Sequence, residues 1–151
     1  MPDWAMAAVI IDTMSVVRIL VVEDFAPFRR FITSTVEKQP SLQVICEVAD
    51  GLEALQKAEE LKPDLILLDL GLPTLNGIAA ARRVRKIARE SKIIFVTQES
   101  STDVVQEALS SGAWGYVLKA RAGIDLIAAV EAVLKGTQFV SSGLLITPGS
   151  F

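Results

Sequence analysis

Short apolar runs that do not alternate with polar residues constrain this chain more than any other feature. Five of them recur: Arg18–Glu23 (RILVVE), Leu42–Ala49 (LQVICEVA), Leu65–Asp69 (LILLD), Ile93–Thr97 (IIFVT) and Gly115–Lys119 (GYVLK). Three are apolar at nearly every position, the mark of strands buried on both faces by helices above and below a parallel sheet. Segments with helical spacing lie between them. Phe28, Ile32 and Val36 define the first, with Pro27 suited to its first turn. Leu52, Leu55 and Ala58 define the second, with Asp50 placed to cap it. Ala80, Val84, Ile87 and Ala88 define the third; Val104, Val105, Ala108 and Leu109 a shorter fourth; Ile127, Val130 and Leu134 the last. Pro40, Pro63, Pro73, Gly112 and Gly136 interrupt the pattern where connections are needed. The alternation predicts an α/β fold: a doubly wound (βα)5 five-stranded parallel sheet with right-handed crossovers.

A chain of 151 residues has room for one domain with a substantial core. Residues 16–136 account for that domain. Residues 1–15 form an N-terminal extension, within which Met14 is a natural alternative start, and residues 137–151 a partly docked tail or truncated linker. Hydrophobic residues at 51% exclude a disordered chain. A formal charge of -3 argues against direct nucleic-acid binding, which needs concentrated positive charge. Histidine is absent, which excludes a Ser-His-Asp triad, a His-ligated zinc site and a histidine phosphate carrier. The lone Cys46 cannot form an internal disulfide and fits a packed thiol in a reducing compartment. The apolar run Ala5–Ile11 falls far short of the roughly 20 residues that span a bilayer, and the leader lacks the basic start of a signal peptide. A cytoplasmic protein with no membrane partner is expected.

The polar residues that stand out sit at strand ends. Glu23 and Asp24 close the first strand, Asp69 the third, Thr97 the fourth and Lys119 the fifth. Open α/β sheets bind ligands beyond the carboxyl ends of their strands, near the point where strand order reverses. With the order 2-1-3-4-5, strands one and three are neighbours there, and the three acids converge. Two carboxylates ~4 Å apart repel by about 4 kcal/mol at an effective dielectric of ~20, so such a group calls for protonation or a cation. An all-oxygen, water-accessible donor set suits Mg²⁺. Asp69 could then act as a carboxylate nucleophile toward phosphorus, with Lys119 supplying a point charge and Thr97 a hydrogen bond to the phosphoryl oxygens.

Each of these residues also has a plainer reading. Asp24 could cap the first helix, Asp69 could be a loop residue before the Gly71–Pro73 turn, and Lys119 a solvated strand-end charge. Thr97 suits a strand terminus whatever its role, and Tyr116 could be a core aromatic. Arg82, Arg83, Arg85, Lys86 and Arg89 along the third helix read as a solvated face, or else as a docking patch. Trp114 is expected to be half exposed beside the fourth helix, through packing or as a partner anchor.

Together, VVEDF, LLDLGLPTLNG, FVTQES and GAWGYVLKA resemble, in order and separation, the response regulator receiver domains of two-component signalling. GAWGYVLKARAG and KGTQFVSSGLL further resemble the NarL/FixJ-like branch, whose members usually carry a C-terminal helix-turn-helix. The resemblance implies a flavodoxin-like, CheY-like fold with Asp69 as phosphoacceptor. It implies a Mg²⁺ site built from Glu23, Asp24, Asp69 and the backbone carbonyl of Gly71, and a switch pair of Thr97 and Tyr116. It also implies a sensor histidine kinase as phosphoryl donor, an output protein or domain as target, and a homodimer on activation. One alternative keeps the domain and makes it the receiver fragment of a NarL-type DNA-binding transcriptional regulator. A flavodoxin-like cofactor binder would need a Ser, Thr and Gly loop after strand one, where EDFAPFRR offers acid and bulk. An interaction-only, degenerate receiver is countered by the intact acidic trio. Two departures stand out: Ala120 follows Lys119 where many receivers have proline, and the long Gln98 follows Thr97 where a small residue is usual.

Overall fold

A computed structural model describes residues 15–144. Six strands, β1 (Val17–Val22), β2 (Leu42–Val48), β3 (Leu65–Leu68), β4 (Lys92–Thr97), β5 (Gly115–Leu118) and β6 (Phe139–Val140), form one sheet in the order β2-β1-β3-β4-β5-β6. Every neighbouring pair is parallel. Five helices connect them: α1 (Ala26–Val36), α2 (Gly51–Leu61), α3 (Gly77–Ile87), α4 (Thr102–Ser110) and α5 (Ala122–Leu134). A single 3₁₀ turn, Lys119–Arg121, leads from β5 into α5.

The unbroken apolar runs have the cause inferred from sequence. Ile19 and Val21 of β1, Leu65 and Leu67 of β3, and Ile94 and Val96 of β4 face Ile32 and Val36 of α1 and Leu126, Ala129, Val130 and Val133 of α5. Leu20 and Val22, Ile66 and Leu68, and Ile93 and Phe95 face the opposite layer of α2, α3 and α4. Both faces of the central strands are therefore dry, and period-2 alternation has nothing to mark. Asp50 caps α2, accepting the Glu53 N–H at 2.8 Å. Asn76 and Ser101 cap α3 and α4 in the same way.

The sheet exceeds the expected five strands by one. At the end of α5 the amides of Gly136 and Thr137 return to the carbonyls of Val133 and Ala132 at 2.9 Å each, a paired closure that reverses the chain. Phe139 and Val140 then pair with Gly115 and Tyr116 of β5. Ser141, also buried, donates its N–H to the Tyr116 carbonyl at 2.9 Å and accepts the Leu118 N–H on its hydroxyl at 3.0 Å. A two-residue strand is too short for periodicity to reveal.

Trp114 departs from expectation too. It is half-buried, but packs on the α1/α5 side of the sheet, with Lys92 Nζ 4.7 Å from its ring centroid. No helix of the described residues is long and apolar enough to cross a membrane. Nothing described bears on the N-terminal extension, which lies almost wholly outside residues 15–144.

Candidate functional site

Strand register brings the acids together. Val22 of β1 is the direct partner of Leu68 of β3, so Glu23 and Asp69 leave the sheet side by side. The ladder continues one step past the strands, with the Asp69 N–H on the Val22 carbonyl at 3.1 Å. At the same rim Thr97 is the partner of Leu118, which sets Lys119 beside the acids. One carboxylate oxygen each from Glu23, Asp24 and Asp69 lie within 4.8 Å of one another. Asp24 and Asp69 open on a cleft of about 750 Å³ that also reaches Gly71, Thr97 and Lys119, with Glu23 buried behind it.

Each side chain is held differently. Glu23 is almost wholly buried and accepts the Phe25 N–H on Oε2 at 3.0 Å. Its Oε1 lies 2.6 Å from Lys119 Nζ, an ion pair without the alignment of a hydrogen bond, so this buried oxygen has no well-aligned donor. Burial raises the Glu23 carboxyl above its ordinary range, only partly offset by contact with Lys119 and the Phe25 amide. Lys119 Nζ also lies 3.3 Å from Asp69 Oδ2. Burial alone would lower the ammonium; contact with Glu23 and the charge of Asp69 outweigh it and leave it raised. Asp69 is buried, with Oδ1 accepting the Leu70 N–H at 2.8 Å. Asp24 is exposed and does not cap α1, whose capping position is Phe25 and carries no side-chain bond.

Gly77, the first residue of α3, fixes the backbone of Asp69 from behind. A Cβ there would stand 2.2 Å from the Asp69 carbonyl oxygen, so only glycine permits this approach. The Gly77 N–H donates to the Leu70 carbonyl at 2.8 Å.

Thr97 and Tyr116 meet at a residue the motifs do not single out. The Thr97 hydroxyl accepts the Glu99 N–H at 3.4 Å, and the Tyr116 hydroxyl donates to the Glu99 carbonyl at 2.7 Å. Tyr116 is fully buried, its ring 6.3 Å from that of Phe95. Burial first, and then the charges of Glu99 and Asp69, push its phenol well above the ordinary range. Two further neighbours had no sequence signal of their own. The Phe28 ring lies 4.9 Å from Lys119 Nζ, a cation–π contact that restrains the ammonium, and Arg29 donates to the Glu23 carbonyl at 2.8 Å. The basic residues of α3 are partly engaged: Arg82 pairs with Glu107 at 3.6 Å, and Arg85 reaches the Ser111 carbonyl.

The donor set suits a hard cation. It is all oxygen, contains one exposed carboxylate, and includes a buried oxygen without a well-aligned donor. A doubly wound parallel sheet with strand order 2-1-3-4-5, extended by β6, is the flavodoxin-like, CheY-like fold. Residues 19–131 match the response regulator receiver domain family. The protein-glutamate methylesterase/protein-glutamine glutaminase of Thermotoga maritima is 39% identical over 116 residues, covering 76% of this chain and 33% of that protein. The transcriptional regulatory protein LiaR of Bacillus subtilis is 33% identical over 126 residues, covering 83% of this chain and 60% of LiaR. A LuxR-family two-component response regulator from Aurantimonas sp. SI85-9A1 superposes with a TM-score of 0.81 at 33% identity, over 85% of this chain and 91% of that one. The chain belongs to the response regulator receiver domain family, in the NarL/FixJ-like branch that its C-terminal motifs resemble. It spans one third to about 60% of the length of these curated relatives.

Proposed function

We propose that this receiver domain accepts a phosphoryl group on Asp69 from the histidine of a sensor kinase, and that the resulting acyl phosphate shifts the domain toward an output-competent conformation. One observation carries the reading: the carboxylates of Glu23, Asp24 and Asp69 converge within 4.8 Å while Lys119 stands 3.3 Å from Asp69. In the transfer, an Asp69 carboxylate oxygen forms a bond to phosphorus as the phosphorus–nitrogen bond of the donor breaks, and the imidazole leaves with a proton. Leu70 N–H and Lys119 orient the Asp69 carboxylate through its two oxygens. Lys119 stabilises charge on the phosphoryl oxygens, and the Thr97 hydroxyl, which accepts the Glu99 N–H in this structure, turns to donate its proton to one of them. Glu23, Asp24, Asp69 and the Gly71 carbonyl would hold Mg²⁺, which when bound supplies charge neutralisation at the phosphoryl oxygens.

Phosphorylation adds close to two negative charges beside Thr97 and Lys119. Movement of Thr97 frees one side of Glu99, whose carbonyl holds Tyr116, and so links the rim to the buried ring. Taking a population from about 1:99 to 99:1 needs about 5.5 kcal/mol, and charge-assisted bonds contribute about 1.5–3 kcal/mol each. A partial shift completed by homodimerisation or output binding follows from those magnitudes. The domain is a cytoplasmic phosphoacceptor that promotes its own phosphorylation and dephosphorylation and acts on no other substrate.

The relatives divide over output, one being named a methylesterase and the other a transcriptional regulator. The second is favoured by the LuxR-family structure, so the output partner is proposed as a DNA-binding unit, with this domain making no direct contact with DNA. Incubation with a small phosphodonor and Mg²⁺, followed by mass mapping, tests the central claim. Label on Asp69, lost in Asp69→Asn, is expected. Label at another residue, or undiminished in that variant, would overturn it.

A further inference from the structure

The loop between β3 and α3 carries Asp69 and Gly71, yet its tip is held by a different element, the first turn of α2. Gly51 N–H donates to the Pro73 carbonyl at 3.2 Å, and Leu52 N–H donates to the Thr74 hydroxyl at 3.2 Å. That hydroxyl in turn donates to Asp50 Oδ1 at 3.1 Å, the same oxygen that caps α2 by accepting the Glu53 N–H. The approach is so close that a Cβ on residue 51 would stand 1.9 Å from the Leu75 carbonyl oxygen.

Thr74 also has a φ of 65°. It sits between the Pro73 carbonyl and the Leu75 N–H, bonded at 2.7 Å, in a γ-turn of the rarer, positive-φ kind. A β-branched residue is strained there, and such strain persists only where the surroundings over-determine it. The bonds from Asp50, Gly51 and Leu52 supply that restraint. Thr74 and Asp50 touch no carboxylate of the acidic trio, so their effect on the site is exerted through the loop.

We infer that Asp50 and Thr74 are a positioning pair, holding the β3–α3 loop in its cation-receiving conformation before any cation arrives. The inference rests on the Mg²⁺ and phosphoacceptor reading above. A loop ordered in advance spends none of the binding free energy on ordering itself. Without the Thr74 hydroxyl, Leu52 N–H and Asp50 Oδ1 both lose a partner, and the loop tip is freed to leave its strained turn.

Calorimetric titration of the full chain with Mg²⁺, with no phosphodonor present, tests this. Thr74→Ala should bind Mg²⁺ about three- to tenfold more weakly, the effect of losing one or two hydrogen bonds. Its labelling rate at saturating Mg²⁺ should stay within about twofold of wild type, since the reacting groups are intact. Thr74→Ser, which keeps the hydroxyl, should restore the affinity, and exchange of the Leu75 amide should accelerate in the alanine variant alone. Should Thr74→Ala not fold, Thr74→Gly accepts the positive φ, lacks the hydroxyl and should show the same weakening. A folded Thr74→Ala that binds Mg²⁺ as wild type does would overturn the positioning role. Wild type that takes neither Mg²⁺ nor label on Asp69 would instead overturn the reading beneath it.

Discussion

Lys119 stands closer to Glu23 than to Asp69: its Nζ is 2.6 Å from Glu23 Oε1 and 3.3 Å from Asp69 Oδ2. Its nearer partner is thus Glu23, which is proposed only to hold the cation, and not Asp69, which is proposed to accept the phosphoryl group as well. Lys119→Met keeps the length and removes the charge, leaving two buried carboxylates facing one another. The loss should cost about 1–3 kcal/mol of stability in metal-free buffer. Mg²⁺ should then stabilise the variant more than it stabilises wild type. Urea midpoints with and without Mg²⁺ measure both effects, and equal midpoints for the two proteins would contradict the arrangement.

The raised carboxyl of Glu23 makes a signed prediction about pH. A folded state that keeps its proton longer than the unfolded chain loses stability as pH rises. The loss should begin near the ordinary value of 4.5 and continue through the raised one, then level off. Melting temperatures in chelator across that window should show the decline, and Glu23→Gln should flatten it. Wild type that instead gains stability over the same window would contradict the burial argument.

Tyr116 is the chain's single tyrosine, so its ionisation can be read without interference. Tyrosinate absorbance should appear near the ordinary value of 10.0 in denaturant and distinctly higher in the folded protein, because burial and then the charges of Glu99 and Asp69 oppose the phenolate. By the same linkage, stability should fall as pH rises past 10.0, and Tyr116→Phe should remove that component. Coincident titrations in the two states would place the ring in water, against its burial.

Ser141→Ala removes the hydroxyl that accepts the Leu118 N–H at 3.0 Å. The expected cost is about 0.5–1.5 kcal/mol, with faster hydrogen exchange at Leu118. Protection of the neighbouring Tyr116–Val140 pairing should fall with it. Unchanged exchange at residue 118 would show that the serine does not hold β6.

The parts of the fold legible in sequence were those with a local cause. Ile19–Val22, Leu65–Leu68 and Ile93–Val96 are uniformly apolar because both faces are covered, and Asp50 announces the start of α2 by its chemistry. The site was legible because four strands end in polar residues that one register aligns. What escaped depends on tertiary partners. Glu99 matters through its backbone, which any residue supplies, and Phe28 looks like an ordinary core position until Lys119 is placed above it. Strand parity would put Trp114 on the same face as Tyr116, but a bend at residue 114 turns it over to the α5 side. The γ-turn at Thr74 carries none of the glycine or asparagine that usually advertises a positive φ.

Because β6 runs parallel to β5, the polypeptide leaves the sheet at the acidic rim and not at the opposite pole. Ser141 holds it there, its hydroxyl gripping the amide one residue ahead of Lys119. A load hung on that departing strand therefore pulls on the same few ångströms of backbone that aim the lysine. Mechanical traffic between the chemistry and that strand need not cross the body of the domain.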